Sequence, residues 1–174
     1  TYDQLAQKVQ RKRVINRRDP IIDRIFDFVS TNVITSFARW SVFSHFFDRV
    51  DMIDINCGNG INLFKIYEYA VLMRKNNFYY YGYNENRIQI NSPFNGAISR
   101  YEKFRADKTY SNFPICTFNI YNIYQILDNV TTKFNHLIGL DAYIFQDSKS
   151  KILTISKIIQ RLMVSKSFIF LILA

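Results

Sequence analysis

Asp54-Ile55-Asn56-Cys57-Gly58-Asn59-Gly60 brings a carboxylate, a thiol and a Gly-x-Gly pair into one short stretch. It directly follows the apolar run Val50-Asp51-Met52-Ile53 and directly precedes a helix-like segment. An acidic residue at a strand end, a small-residue turn closing on Gly-x-Gly, then a helix is the layout of a nucleotide-cofactor site in an open α/β sheet. The glycines matter because a residue without Cβ lets the backbone turn tightly and approach a ligand closely. A dinucleotide fingerprint, Gly-x-Gly-x-x-Gly, is the rival reading. Counted from Gly58 and Gly60, its third glycine falls on Leu63, so that fingerprint is broken. A strand-to-helix turn with no ligand is the bland reading, and the surrounding elements must decide.

Those elements follow from hydrophobic spacing. Residues 1–49 read as a basic, helical N-terminal extension, with Asp19-Pro20 as a helix start and apolar residues from Ile21 to Phe43 at helical intervals. From residue 50 to 174 strands alternate with helices. Strands are expected at Val50–Ile55, Phe78–Tyr83, Phe113–Phe118, His136–Ile144 and Phe168–Leu173, the last fully buried. Helices are expected at Ile61–Lys75, within Pro93–Lys108, near Tyr124–Val130 and at Lys151–Val164. In the last of these Ile152, Ile155, Ile159, Leu162 and Met163 share one side. Alternation of this kind implies right-handed crossovers and a mostly parallel sheet with helices on both faces. Ligands then sit outside the carboxyl ends of the strands, at Asp54–Gly60, Tyr81–Asn86, Asn119 and Asp141–Asp147.

The loop resembles the S-adenosylmethionine loop of class I methyltransferases, usually Asp-x-Gly-x-Gly-x-Gly, with Asn56 standing at the first glycine. The resemblance implies a Rossmann-like class I methyltransferase sheet with an N-terminal helical extension. It also implies S-adenosyl-L-methionine as cofactor, held by Asp54, Asn56, Cys57, Gly58 and Gly60 around its methionine part. In this family an acid after the second strand holds the ribose hydroxyls; that position is Asn84, with Glu85 one residue along. Asn119 matches the family's adenine contact, and Asp141 joins the set at the fourth strand end. Tyr81–Asn91 and Asp54–Lys65 are similar in layout to the mRNA cap guanine-N7 methyltransferases, and so is Arg13–Ile25. That family typically shows Asp-Leu-Gly-Cys-Gly-Lys-Gly-Gly-Asp-Leu. Here its loop Lys is Asn59, its following acid is Asn62, and its His-Tyr pair falls near Ile144-Phe145. The fifth strand is followed by two more in that family.

Composition bounds the partners. At 174 residues with 48% hydrophobic residues, the chain is one domain able to bury a core. The net charge is +9, and Lys8, Arg11, Lys12, Arg13, Arg17 and Arg18 crowd the first eighteen residues against Asp3 alone. Such a cluster binds polyanions through counterion release; a solvated helix face or a disordered arm is the equal alternative. Arg11, Lys12, Arg13, Arg17 and Arg18 are therefore the expected nucleic-acid contacts; the resemblance implies RNA as the substrate, capped mRNA among the possibilities, and other capping or transcription subunits as partners. The longest apolar run, Phe168–Ala174, is too short to span a bilayer, so no membrane role is expected. Cys57 and Cys116 lack metal-ligand spacing and read as reduced, in a cytoplasmic protein, with virion, viral factory and nucleus left open. Usage of Asn, Ile, Tyr, Phe and Lys is of the kind AT-rich genomes produce, viral and parasitic ones among them.

No catalytic base is assigned, because cap methylation works mainly by positioning the acceptor nitrogen. Asn91-Ser92-Pro93-Phe94 has the look of an amino-methylase motif but follows the wrong strand, and reads as a helix start. His136 reads as a satisfied strand residue, and no metal site is expected. A catalytically degenerate domain that serves a capping or replication enzyme as regulatory or structural partner is the alternative.

Overall fold

The structure is a computed structural model that describes residues 21, 24, 32, 48–64, 66, 77–107, 114–141 and 149–173. Arg11, Lys12, Arg13, Arg17 and Arg18 lie outside those residues, as does most of the N-terminal extension; Ile21, Arg24 and Asn32 are helical and exposed.

Five strands form one parallel sheet: β1 Val50–Asp54, β2 Phe78–Tyr83, β3 Ile115–Asn119, β4 Phe134–Asp141 and β5 Met163–Leu173, in the order β3-β2-β1-β4-β5. The helices are α1 Arg87–Asn91, α2 Ala97–Ala106, α3 Ile123–Asn129 and α4 Lys149–Leu162. Residues 61–64 and 66, after β1, are helical as well. This is a Rossmann-like α/β layout, as the alternation from Val50 implies.

The strand register puts successive β1 side chains on opposite faces. Met52 joins Leu63, Ile66, Tyr80, Ile90 and Ala97 on one face, while Ile53 joins Ile126, Leu137, Ile155, Ile158 and Leu162 on the other. Each of these large side chains contributes about 1.5–3 kcal/mol by leaving water. The two clusters explain why a strand as short as Val-Asp-Met-Ile-Asp holds the centre of the sheet.

Several boundaries differ from the sequence reading for physical reasons. β3 begins at Ile115, because Pro114 has no N–H to give a ladder. The expected helix start at Pro93 lies in a turn instead; Gly96 is the N-cap of α2, and α1 precedes the turn, capped by Asn86. β5 starts five residues earlier than its apolar run and is not fully buried: residues 164–166 are exposed and Ile169 is 37% exposed. It pairs only with β4 among the described residues, so polar Ser165 and Lys166 are accommodated on an edge strand.

Candidate functional site

The sheet order reverses between β1 and β4, since β1 leads to β2 and β3 on one side while β4 leads to β5 on the other. The loop after β1 is pinned at this switch point by both neighbours. Ile55 N donates to Ile138 O of β4 (3.0 Å), and Cys57 N donates to Tyr83 O of β2 (2.9 Å). Gly58 and Gly60 then take φ of +58° and +82°, the left-handed region that other residues rarely adopt. Leu63 N donates to Gly60 O and starts the following helix. At Gly58 the cradle is open: an added Cβ would find Gln89 Oε1 at 4.0 Å and nothing nearer.

Asp54, at the end of β1, is fully buried and faces inward. Its Oδ2 accepts from Tyr80 Oη at 2.5 Å and its Oδ1 from Asn56 N at 3.2 Å. Burial raises its carboxyl to about pH 6, with the Tyr80 and Asn56 bonds pulling the other way. The Tyr80 hydroxyl is in turn pushed well above its usual range, first by burial and then by Asp54. Sequence reasoning missed Tyr80 because it is two strands' pairing, not local spacing, that brings it there. Met52 pairs with Tyr80 and Asp54 with Gly82, so a tyrosine leaning along β2 reaches the next inward position of β1.

Asn56, at the family's first glycine, is not a passive replacement. Its Nδ2 donates to Leu140 O of β4 (2.8 Å), and its Oδ1 accepts from Asn84 Nδ2 (2.9 Å). Asn84 Oδ1 accepts from Asn86 N, and Asn86 Oδ1 accepts from Ile88 N to cap α1. Three asparagines thus tie the ends of β4, β1 and β2 to α1. Asn84 N also donates to Asn119 O at the end of β3 (3.3 Å). Asp54, Asn56, Cys57, Gly58, Gly60, Asn84, Glu85 and Asn119 are therefore gathered at one edge of the sheet, along with the backbone of Asp141 at the end of β4. The side chains of Asp54, Asn56 and Asn84 each bond within the protein.

A cleft opens beside this edge, lined by Asn56, Glu85, Tyr121, Tyr124, Gly139 and Lys151 among others. The cleft is half open, and its space of about 80 Å³ has room for several waters. Tyr121 stacks flat on Tyr83, with centroids 5.7 Å apart and planes 4° from parallel. Tyr124 Oη and Ser150 Oγ lie 2.5 Å apart and join α3 to α4 beside the cleft. Asn122 and Gln125 cap α3 reciprocally. Tyr121, Tyr124 and Lys151 escaped the sequence reading, since they come from separate elements and share no motif. Gly139 is held bare by packing: a Cβ there would lie 2.6 Å from Leu171 and 2.8 Å from Ile55.

The thiols are structural. Cys57 is buried and its Sγ lies 3.4 Å from Gly58 O; burial, reinforced by Asp54, pushes its thiol far up. Burial does the same to Cys116. Neither is expected to react appreciably with iodoacetamide at neutral pH in the folded protein, and both should react on unfolding, which mass spectrometry of the alkylated chain would show. His136 is buried on β4, stacked on Phe168, with Nδ1 2.7 Å from Asn135 Oδ1. Asn135 also accepts from Asp51 N and donates to Arg49 O, which marks this cluster as a brace at the opposite end of the sheet from the loop.

Comparison of the sequence with protein-family models and with curated proteins finds no match. The class that fold and site define is a Rossmann-like α/β domain with a glycine turn at its switch point. Among the described residues no helix is long and apolar enough to cross a membrane.

Proposed function

We propose that this chain is an S-adenosyl-L-methionine-dependent methyltransferase domain acting on RNA, with the mRNA cap guanine N7 as the favoured acceptor. The observation that carries the reading is the turn after β1 at the reversal point of a parallel sheet: two left-handed glycines, of which Gly58 has open space beside it and Gly60 packs against Ala97. The bare Gly58 is a cradle that a side chain would fill, so this part of the edge fits such a cofactor. Gly58 and Gly60 would admit it to the backbone, Glu85 would accept from the ribose hydroxyls, and Tyr121 would offer a ring face. When bound, the cofactor supplies an electrophilic methyl group. The chain's own contribution is position: the asparagine ties fix the strand ends, and the Tyr124–Ser150 contact holds α3 to α4 beside the cleft. The N-terminal arginines and Lys12 would draw in the RNA backbone, in a cytoplasmic, virion or viral-factory setting.

A second reading is favoured by one specific finding. Asp54 and Asn84, which would be expected to serve the ligand, are already bonded to Tyr80, Asn56 and Asn86. A methyltransferase-like domain that has lost turnover and serves as partner to a capping or replication enzyme would look like this. Calorimetry with S-adenosylmethionine and its demethylated product decides between them. Measurable heat, followed by label transfer to the guanine ring of a capped transcript, is the expected result. Absence of both heat and thermal stabilisation at millimolar ligand would favour the partner reading, and NAD binding instead would refute both.

A further inference from the structure

We propose that the turn between α1 and α2 is a stacking platform for single-stranded nucleic acid, with Phe94 as the ring on which an unpaired base lies. Phe94 is 83% exposed, the most exposed of the large hydrophobic side chains among the described residues. One exposed phenylalanine is ordinary on a protein surface. What separates this one is how firmly its backbone is held and what holds it.

Every carbonyl from Ser92 to Asn95 accepts a hydrogen bond from α2 or its cap. Gly96 N donates to Ser92 O (2.9 Å), Ser99 Oγ to Pro93 O (2.9 Å), Lys103 Nζ to Phe94 O (3.2 Å) and Arg100 Nε to Asn95 O (3.1 Å). Gly96 allows the turn to close, for a Cβ there would meet backbone atoms of Ser92 and Ile90 at 2.6–2.7 Å. The ring is therefore presented outward on a fixed base, with little entropy left to lose when a base covers it.

Two of the four donors are cations, and neither is used up by its carbonyl. Lys103 keeps two further ammonium hydrogens, and Arg100 keeps both terminal amino groups of its guanidinium. Arg105 extends the positive charge along α2, with Glu102 the single acid within the helix. An aromatic ring with ammonium and guanidinium groups at its own backbone is the pairing that binds nucleotides: the base stacks and the phosphate meets the charge. A duplex buries its base faces, so this pairing selects an unpaired strand.

The platform adjoins the glycine loop. A Cβ on Gly60 would lie 3.6 Å from Ala97 Cβ, and Ala97 opens α2 directly after the turn. Phe94 therefore lies three residues before the helix end that packs on the loop. The inference rests on RNA as the substrate, but not on the identity of the cofactor.

The test is fluorescence anisotropy of a labelled single-stranded oligoribonucleotide with the full chain. Phe94→Ala is expected to weaken binding about tenfold to a hundredfold, with an unchanged melting temperature, while Phe94→Trp retains it. Lys103→Gln is expected to lower the slope of log affinity against log salt by roughly 0.7. Wild-type affinity in Phe94→Ala would overturn the platform while leaving the RNA reading in place, as would duplex RNA competing as well as the single strand. A wild-type chain that binds no RNA at all would sink both, whatever the cofactor calorimetry shows.

Discussion

Chemical unfolding is expected to show Asp54 stabilising the fold in acid rather than at neutral pH, by ~3 kcal/mol across its titration. The carboxyl is wholly buried, and its value rises from 3.8 to about 6 because burial penalises the charged form more than the Tyr80 and Asn56 bonds favour it. The folded state therefore holds this proton more tightly than the unfolded chain does. Its stabilising contribution is complete below 3.8, falls as pH rises through the window, and is lost above about 6. Other carboxylates titrate in the same range, so the informative quantity is the difference between the wild type and Asp54→Asn. The variant's stability should be offset from the wild type's, because an amide accepts through one oxygen only: with that oxygen on Asn56 N, its NH₂ must donate to a Tyr80 hydroxyl that has turned to accept. Asp54's share of the pH slope in that window should nonetheless disappear. Urea titrations of both proteins from about pH 4 to pH 8 measure this, and a difference that stays flat with pH would refute the buried carboxyl. Tyr80→Phe checks the partner: at about pH 8 it leaves one carboxylate oxygen unsatisfied and should cost about 1.5–3 kcal/mol, with a smaller loss at low pH.

The same pair shows where sequence legibility ends. β2 was readable to the residue, because Phe-Tyr-Tyr-Tyr-Gly-Tyr is a run of strand formers flanked by polar residues. α4 was readable within two residues at each end, because its apolar positions recur at helical intervals. The parallel order followed from the alternation itself. The five residues added to the start of β5 were hidden, since Ser165 and Lys166 are polar and only pairing with β4 makes them strand. α1 was hidden for a different reason: five residues carry too little periodicity, and its determinant is Asn86, a cap recognisable once the chain has turned. Within the site, the residues adjacent in sequence were found together, from Asp54 to Gly60. Tyr80, Tyr121, Tyr124 and Lys151 are assembled by tertiary structure, and no spacing rule reaches across strands and helices to find them. The asparagines were visible as residue types, but their bonds to one another, which tie the strand ends together, were not.

Gly58→Val is expected to abolish S-adenosylmethionine binding, whereas its effect on the fold alone should be limited to backbone strain. The distinction comes from the space around the position. At φ +58° an L residue costs about 1–2 kcal/mol, more for a β-branched one. Yet the nearest protein atom to an added Cβ is 4.0 Å away, so no packing clash adds to that strain. What a side chain would fill is the open side of the turn, where the proposed ligand approaches the backbone. Gly58→Ala should therefore melt slightly early and still lose cofactor heat out of proportion to its small destabilisation. Gly96→Ala supplies the contrast, because its Cβ would meet backbone atoms at 2.6–2.7 Å and must displace the α1–α2 turn. That variant should be the less stable of the two alanine substitutions, although it lies outside the loop. Melting temperatures and calorimetry on the three variants separate strain from ligand exclusion. A Gly58→Val protein that folds and binds the cofactor as tightly as the wild type would remove the loop from the proposed site. The glycines would then be a strand-to-helix turn, and the cleft beside Tyr121 and Lys151 would have to bind whatever the chain binds without them.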